Sequence, residues 1–438
     1  MASVEERPLF SPETFSAFSY RDFRVLWTAT FVRSAALALE LVARAVLIVE
    51  LTGSAVLLGA VLAAWMAPNL LLSPFAGVIV DRYPYRRVLI ASFLANAVAS
   101  GVLFVLLIVD QAQSWQVIAL SALSGIGFVF FNLARRALLP VIVESAHLRS
   151  ATALSQTGQT SVKIGGALLA GLLLSIADFT WMFGLMTAFS LFAVLLGAMI
   201  QAQQEPSADD EDEDVERSII GQITAGARWA LDTRWPIAVL VISAMSYMFL
   251  QPYEAVLMPL VVIDELGKHR SWVGYLAAVG GLGATVGAVW LASLKQIRSP
   301  NLLMVGLIAT GGVSLIGIAL APHLAVVAVC VFFATACVYN MATVANLALL
   351  AHAPEEMRGQ ALTLMNLVQG TILIGALIAG ALVDSLGPPR GLLTMAACLL
   401  GVSLLALSMP RVRWWLWRRR MYTDLTAADW MRASEGDR

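Results

Sequence analysis

Residues 32–46 read VRSAALALELVARAV, an apolar run interrupted by Arg33, Glu40 and Arg44. At about 100° per residue these three fall on one helix face, within roughly 40° of one another, over about 16 Å of axis. A guanidinium–carboxylate–guanidinium array can do three things. It can hold an anion, take up a proton at the carboxylate, or neutralise itself through the i,i+4 pair Glu40–Arg44. The first two are transport chemistry and the third is a brace. A bridge that opens and closes would combine them.

Further polar groups lie in other apolar runs: Asn132 and Arg135, then Gln156, Gln159 and Lys163 at i, i+3, i+7. Tyr247, Gln251, Tyr253 and Glu254 surround Pro252, an expected kink with loosened backbone. Tyr339, Asn340, Asn346, Asn366 and Gln369 complete the set. A single amide in such a run is expected to hydrogen-bond between helices. Lys163 is costlier to bury and requires an acid or an anionic ligand, with Glu254 or Glu40 as candidate partner. Glu40 and Glu254 are the candidate proton carriers, and Arg44 opposes protonation of Glu40, which favours Glu254. The four histidines, His147, His269, His323 and His352, are placed in loops. Cys330, Cys337 and Cys398 show neither CxxC nor Cys/His spacing, so no metal site or disulfide framework is expected. No Gly-Lys-Ser/Thr occurs, which argues against a nucleotide-hydrolysing loop. No cofactor, no catalysis and no nucleic-acid partner are expected.

These groups need a frame. The 438 residues are 59% hydrophobic and 13% charged, against about 25% charged in a soluble domain. The chain therefore reads as an all-α polytopic membrane protein. A spanning helix needs about 20 mostly apolar residues, and twelve runs qualify: 24–50, 54–80, 87–109, 115–139, 152–177, 181–202, 235–262, 272–294, 301–320, 324–350, 360–383 and 391–409. Shorter alternating strands, the mark of a membrane β-barrel, are absent. With the N-terminus inside, inner segments hold 22 of the 28 Lys and Arg, and outer loops hold Lys268, Arg270 and Arg390. That asymmetry predicts cytoplasmic termini. The start, MASVEERPLF, has no positively charged stretch leading into a short apolar core, so no cleaved signal peptide is expected.

The expected division is a cytoplasmic segment at 1–23, a six-helix bundle at 24–202, a linker at 203–234, a second six-helix bundle at 235–409 and a tail at 410–438. The linker opens QQEPSADDEDEDVE, a solvated acidic run, and continues into an amphipathic surface helix. The tail opens RVRWWLWRRR, suited to the inner headgroup layer. GALLAG at 166–171 recurs as GALIAG at 375–380, and the same offset carries Arg149 onto Arg358. This register suggests duplication, and transporters so built hold substrate near mid-membrane between the repeats.

GVIVDRYPYRRVL, residues 77–89, joins the second and third runs. Gly77 permits close helix approach, Asp81 can face the positive end of a neighbouring helix, and Arg82, Arg86 and Arg87 hold the inner side. The string resembles the Gly-x-x-x-Asp-Arg-x-x-x-Arg-Arg/Lys signature of the major facilitator superfamily. That resemblance implies a major facilitator fold and a latch at Gly77, Asp81, Arg82 and Arg86 that holds the outward-open state. The second-half counterpart, GAVWLASLKQIRSP, keeps Gly287 but has Leu291 in place of the acid. ELTGSA at 50–55, ARRALLPVIVESAHLRSATAL at 134–154 and HAPEEMRGQALTLMNLVQG at 352–370 are similar to the exporter branch that includes enterobactin exporters and macrolide efflux proteins. Two departures stand out against drug/proton antiporters. Their fifth-helix Gly-Pro-x-x-Gly-Gly reads GGALLAG here, and their first-helix acid aligns with Leu37, three residues before Glu40.

The expectation is a twelve-helix secondary transporter in the inner (plasma) membrane, monomeric, in contact with membrane lipids. It would export an amphipathic small organic molecule by alternating access, with protons as coupling ion. Two alternatives follow from the residues. The cations Arg33, Arg44 and Lys163 outnumber Glu40 and Glu254, which suits an uncoupled transporter or flippase of an anionic amphiphile such as a lysolipid or siderophore. The acidic linker and basic tail suit a non-transporting sensor or scaffold.

Overall fold

A computed structural model describes residues 12–176, 178–202, 226–233, 235–294, 299–321, 323–354 and 357–408, with single residues at 221 and 224. The acidic run of the linker and the Arg/Trp tail lie outside the described residues, as do the side chains of Asp81, Arg149, Lys163 and His352.

Among the described residues twelve long helices follow one another, as the apolar runs predict. They are α1 (Arg21–Thr52), α2 (Ala55–Arg82), α3 (Tyr85–Ile108), α4 (Ser114–Ile142), α5 (Leu148–Ile176) and α6 (Phe179–Met199), then α7 (Trp235–Glu265). After these come α8 (Ser271–Ser293), α9 (Pro300–Leu320), α10 (Leu324–His352), α11 (Arg358–Leu386) and α12 (Pro388–Ser408). Eleven are long and apolar enough to cross a membrane, and α1 exceeds them all in length while carrying the three buried charges. Residues 226–233 of the expected surface helix are helical. His352 is the last residue of α10 rather than a loop residue. His147, in the turn before α5, meets the Tyr20 hydroxyl at 3.1 Å.

Chain chemistry sets the ends and breaks. α1 stops at Gly53, whose φ of 64° is the left-handed region that glycine enters at no steric cost. Its N–H closes the helix onto the Val49 carbonyl at 2.8 Å. Pro252 and Pro259 lie in α7, which contains three π-helical turns, Ser246–Leu250, Tyr253–Leu257 and Val261–Glu265. Such turns collect where a proline removes an N–H and the ladder must re-pair. α11 is interrupted at Gly370.

Packing divides the described chain into two units. The first takes residues from Met1–Gly53, Ala60–Arg217 and His269–Ala278, and the second from Ser54–Gly59, Ser218–Lys268 and Val279–Arg438. In the first, α3 packs on α4 and α6, and α1 on α5 and α6. In the second, α9 packs on α10 and α12, and α7 on α11 and α12. The two patterns match helix for helix.

The repeated glycines explain that match. A Cβ on Gly166 of α5 would meet Ala38 of α1, and a Cβ on Gly375 of α11 would meet the Met248 backbone of α7. Gly171 lies against Ser271 and Tyr275 at the start of α8, while Gly380 lies against Ala55 and Val56 at the start of α2. Each hexapeptide therefore supplies one glycine for a neighbour in its own half and one for a helix start from the other half. Without a hydrophobic drive between helices in lipid, such small residues let backbones approach and gain dispersion contact.

Two polar clusters fix those helix starts. Within the second unit, Asp384 near the end of α11 accepts hydrogen bonds from Ala55 N–H (2.7 Å), Val56 N–H (3.2 Å) and the Ser54 hydroxyl (2.9 Å). It thus caps α2 from another helix, satisfying N–H groups that no carbonyl of α2 can reach. Asp384→Ala should cost about 1 kcal/mol, the typical value of a lost cap. Hydrogen exchange at Ala55 and Val56 would then speed up; unchanged protection there would contradict the capping role. Within the first unit, Arg270 donates to both Glu50 oxygens at 3.2 Å and to Asp178 at 3.1 Å, with its guanidinium 4.5 Å from the Phe179 ring centroid. Sequence reading treats Arg270 only as an outer-loop charge.

Candidate functional site

The charged face of α1 turns into the interior of the first unit. Arg33, Glu40 and Arg44 are 1%, 5% and 4% exposed. Arg44 Nη1 stands 2.7 Å from Glu40 Oε1, and Arg33 Nη1 stands 3.6 Å from Glu40 Oε2. The i,i+4 pair read from the spacing is therefore formed, with Arg33 as a looser third member.

Neighbouring helices complete a network. On α3, Asn96 accepts from Arg33 Nη2 at 2.5 Å and from the Ser124 hydroxyl of α4 at 2.7 Å, and its amide donates to Ser92 O at 2.7 Å. The Ser124 hydroxyl also reaches Glu40 Oε1. Arg44 Nη2 donates to Leu120 O of α4 at 3.3 Å. Ser100 carries the chain of contacts to Thr187 of α6 at 3.2 Å. Gly127 makes this possible, because a Cβ there would collide with the Asn96 amide and the Ser92 carbonyl (3.0 Å).

Asn96 and Ser124 are absent from the sequence-derived candidates. A signal existed: Ser92, Asn96 and Ser100 recur every four residues on one face of α3. Single small polar residues in apolar helices carry no mark of their partner, so that face stands out only beside a charged neighbour.

The other candidates fall elsewhere. Arg135 is buried on α4, its guanidinium 5.9 Å from the Phe131 ring centroid. Asn132 is half-buried and bonds its own helix at Phe128 O, 3.0 Å. Gln156 is exposed, and half-buried Gln159 donates to Ser155 O at 3.1 Å. In the second unit, Tyr253 is buried on α7, and its hydroxyl meets Thr335 and donates to Val331 O of α10 at 3.2 Å. Gln251 and Glu254 are half-buried beside it, Asn340 is buried on α10, and Asn366 and Gln369 are exposed at the α11 break. Asn340 sits against Gly287, where a Cβ would collide with its amide.

For the expected latch, nothing among the described residues lies within 4 Å of where a Gly77 Cβ would stand. Arg82 is exposed, and Arg86 donates to the Ala198 backbone carbonyl at the end of α6 at 2.5 Å.

Chemically, the α1 network surrounds one carboxylate with two guanidinium groups and a hydroxyl. Glu254 stands instead on a helix with irregular hydrogen bonding.

Comparison with known proteins bears on the whole chain. A family model described as transmembrane secretion effector matches residues 12–419. Macrolide efflux protein A of Streptococcus pyogenes is 23% identical over 294 residues, covering 67% of this chain and 71% of the relative. Multidrug efflux pump Tap of Mycolicibacterium fortuitum is 25% identical over 382 residues, covering 84% and 90%. Among solved structures, the nucleoside transporter NupG superposes with a TM-score of 0.68 at 12% identity, over 89% of this chain and 98% of that one. A POT family transporter in complex with 5-aminolevulinic acid gives 0.67 at 12%, over 90% and 97%. At such identities the structural likeness speaks for the fold alone.

Proposed function

The chain belongs to the transmembrane secretion effector family of the major facilitator superfamily, and from that membership we propose that it exports an amphipathic organic molecule by alternating access, driven by the proton gradient. It is a multi-pass transporter of the efflux type. The carrying observation is the family match across residues 12–419 together with relatives named for macrolide and multidrug efflux. Those names support a bulky, largely apolar substrate class here. The Lys/Arg asymmetry supports cytoplasmic termini in the bacterial inner membrane.

For coupling, Glu254 is the proposed proton carrier and Glu40 the structural acid. Glu40 is buried and held by Arg44 at 2.7 Å. Glu254 is half-buried within a π turn of α7, Tyr253–Leu257, the kind of irregularity often found at functional sites. The test is drug and dye efflux in an efflux-deficient bacterial host and in energised inverted vesicles. Wild-type protein should move macrolide-like substrates against their gradient, and collapsing the pH gradient should stop it. Glu254→Gln should abolish the pH-driven component while leaving substrate binding intact. Full gradient-driven efflux by that variant would rule out coupling through Glu254. Failure of the wild type across a broad drug panel would rule out export of this substrate class.

A further inference from the structure

We propose that the Arg33 end of the α1 network binds one small monovalent anion of the halide class inside the first unit. This goes beyond the export reading and does not depend on the exported substrate.

Charge is the first ground. Among the described residues, the buried charged side chains are Arg33, Glu40, Arg44 and Arg135: three cations and one anion. Arginine does not shed its proton to relieve this. Arg44 holds Glu40 at 2.7 Å, while Arg33 stands at 3.6 Å from the same carboxylate, so within the network the less compensated cation is Arg33; Arg135 lies apart, 5.9 Å from the Phe131 ring centroid. Among the other described acids of this unit, Asp110 and Glu144 are exposed at helix ends. Asp22 accepts from the N–H groups of Gln201 and Ala202, and Glu50 and Asp178 hold Arg270.

Donor geometry is the second ground. A guanidinium has five N–H donors, and among the described residues Arg33 donates one hydrogen bond, to Asn96. Its Nε is buried with no hydrogen-bond acceptor among the described residues, and its Nη1 has only the Glu40 carboxylate at 3.6 Å, beyond hydrogen-bond distance. Thr30, one turn earlier on the same helix face and 4% exposed, likewise has a buried hydroxyl without a partner. A threonine in a helix ordinarily bonds its hydroxyl to a carbonyl of the preceding turn. A water molecule would bring two hydrogens that need acceptors of their own. An anion accepts from every donor and cancels one unit of charge. Arg33 at 1% and Thr30 at 4% exposure are enclosed by packed helices, which favours a compact ion over an organic carboxylate.

The experiment follows thermal unfolding of the purified full chain in nanodiscs, with chloride exchanged for gluconate at constant ionic strength. The midpoint should rise saturably with chloride, and equally with bromide, whose anomalous scattering should mark a site at Arg33. Thr30→Val keeps the side-chain shape and removes the hydroxyl. It should raise the half-effect halide concentration about tenfold, the worth of one hydrogen bond to a charged group. In gluconate it should be at least as stable as the wild type. Arg33→Gln should abolish the halide response, and if it does not fold, Thr30→Val carries the test. A wild-type midpoint indifferent to halide, or an unchanged response in Thr30→Val, would overturn the proposal.

Discussion

Replacing Glu40 with glutamine should destabilise the protein by about 3–5 kcal/mol, the range seen when one partner of a buried ion pair is removed. Glu40 is the one acid among the four buried charged side chains described, and it touches Arg33, Arg44 and Ser124. A glutamine keeps the volume and the hydroxyl contact but leaves two guanidinium groups facing each other in a medium that solvates neither. Removing Arg44 as well, in Glu40→Gln/Arg44→Gln, should recover part of the loss, because the second change deletes one of the stranded charges. A double-mutant cycle on unfolding in detergent measures this coupling. If Glu40→Gln unfolds within about 0.5 kcal/mol of the wild type, as a change away from such features would, the charge balance drawn here is wrong. Because this variant acts through folding, its transport phenotype must be normalised to folded protein before it is set beside Glu254→Gln.

The second large effect is expected at Gly375. A Cβ there would meet the Met248 carbonyl oxygen, with the Met248 Cα at 2.7 Å and carbonyl carbon at 2.8 Å. These are backbone atoms of a π turn, so no rotamer change relieves the clash, and α11 and α7 must separate. Gly375→Ala should therefore cost about 1–3 kcal/mol, the scale of overpacking a close-packed core. Gly165, beside the equivalent hexapeptide on α5, provides the control: nothing lies within 4 Å of its Cβ position. Gly165→Ala should be neutral or slightly stabilising, since alanine is the better helix former. Equal unfolding midpoints for the two variants would refute the contact assigned to Gly375.

Much of this was legible in the sequence for one reason. In lipid every backbone polar group must be satisfied within its own segment, so a long apolar run becomes a helix almost regardless of its neighbours. The twelve runs and the twelve helices accordingly agree, with ends shifted by a few residues where caps such as Gly53 and Asp384 act. The hexapeptide repeat was visible as a register of 209 residues. Its physical meaning, paired glycine contacts in both halves, was not, because a sequence does not say what a glycine lies against.

The sequence by itself determined that Arg33, Glu40 and Arg44 share one face of one helix, because helical periodicity fixes their relative angles. Tertiary packing alone decided where that face points. Periodicity leaves a helix free to rotate about its own axis, and the choice is made by which neighbours have room. Here Gly127 admits Asn96, and Ser124 supplies a hydroxyl, so α3 and α4 close over the charges and place them inside one bundle.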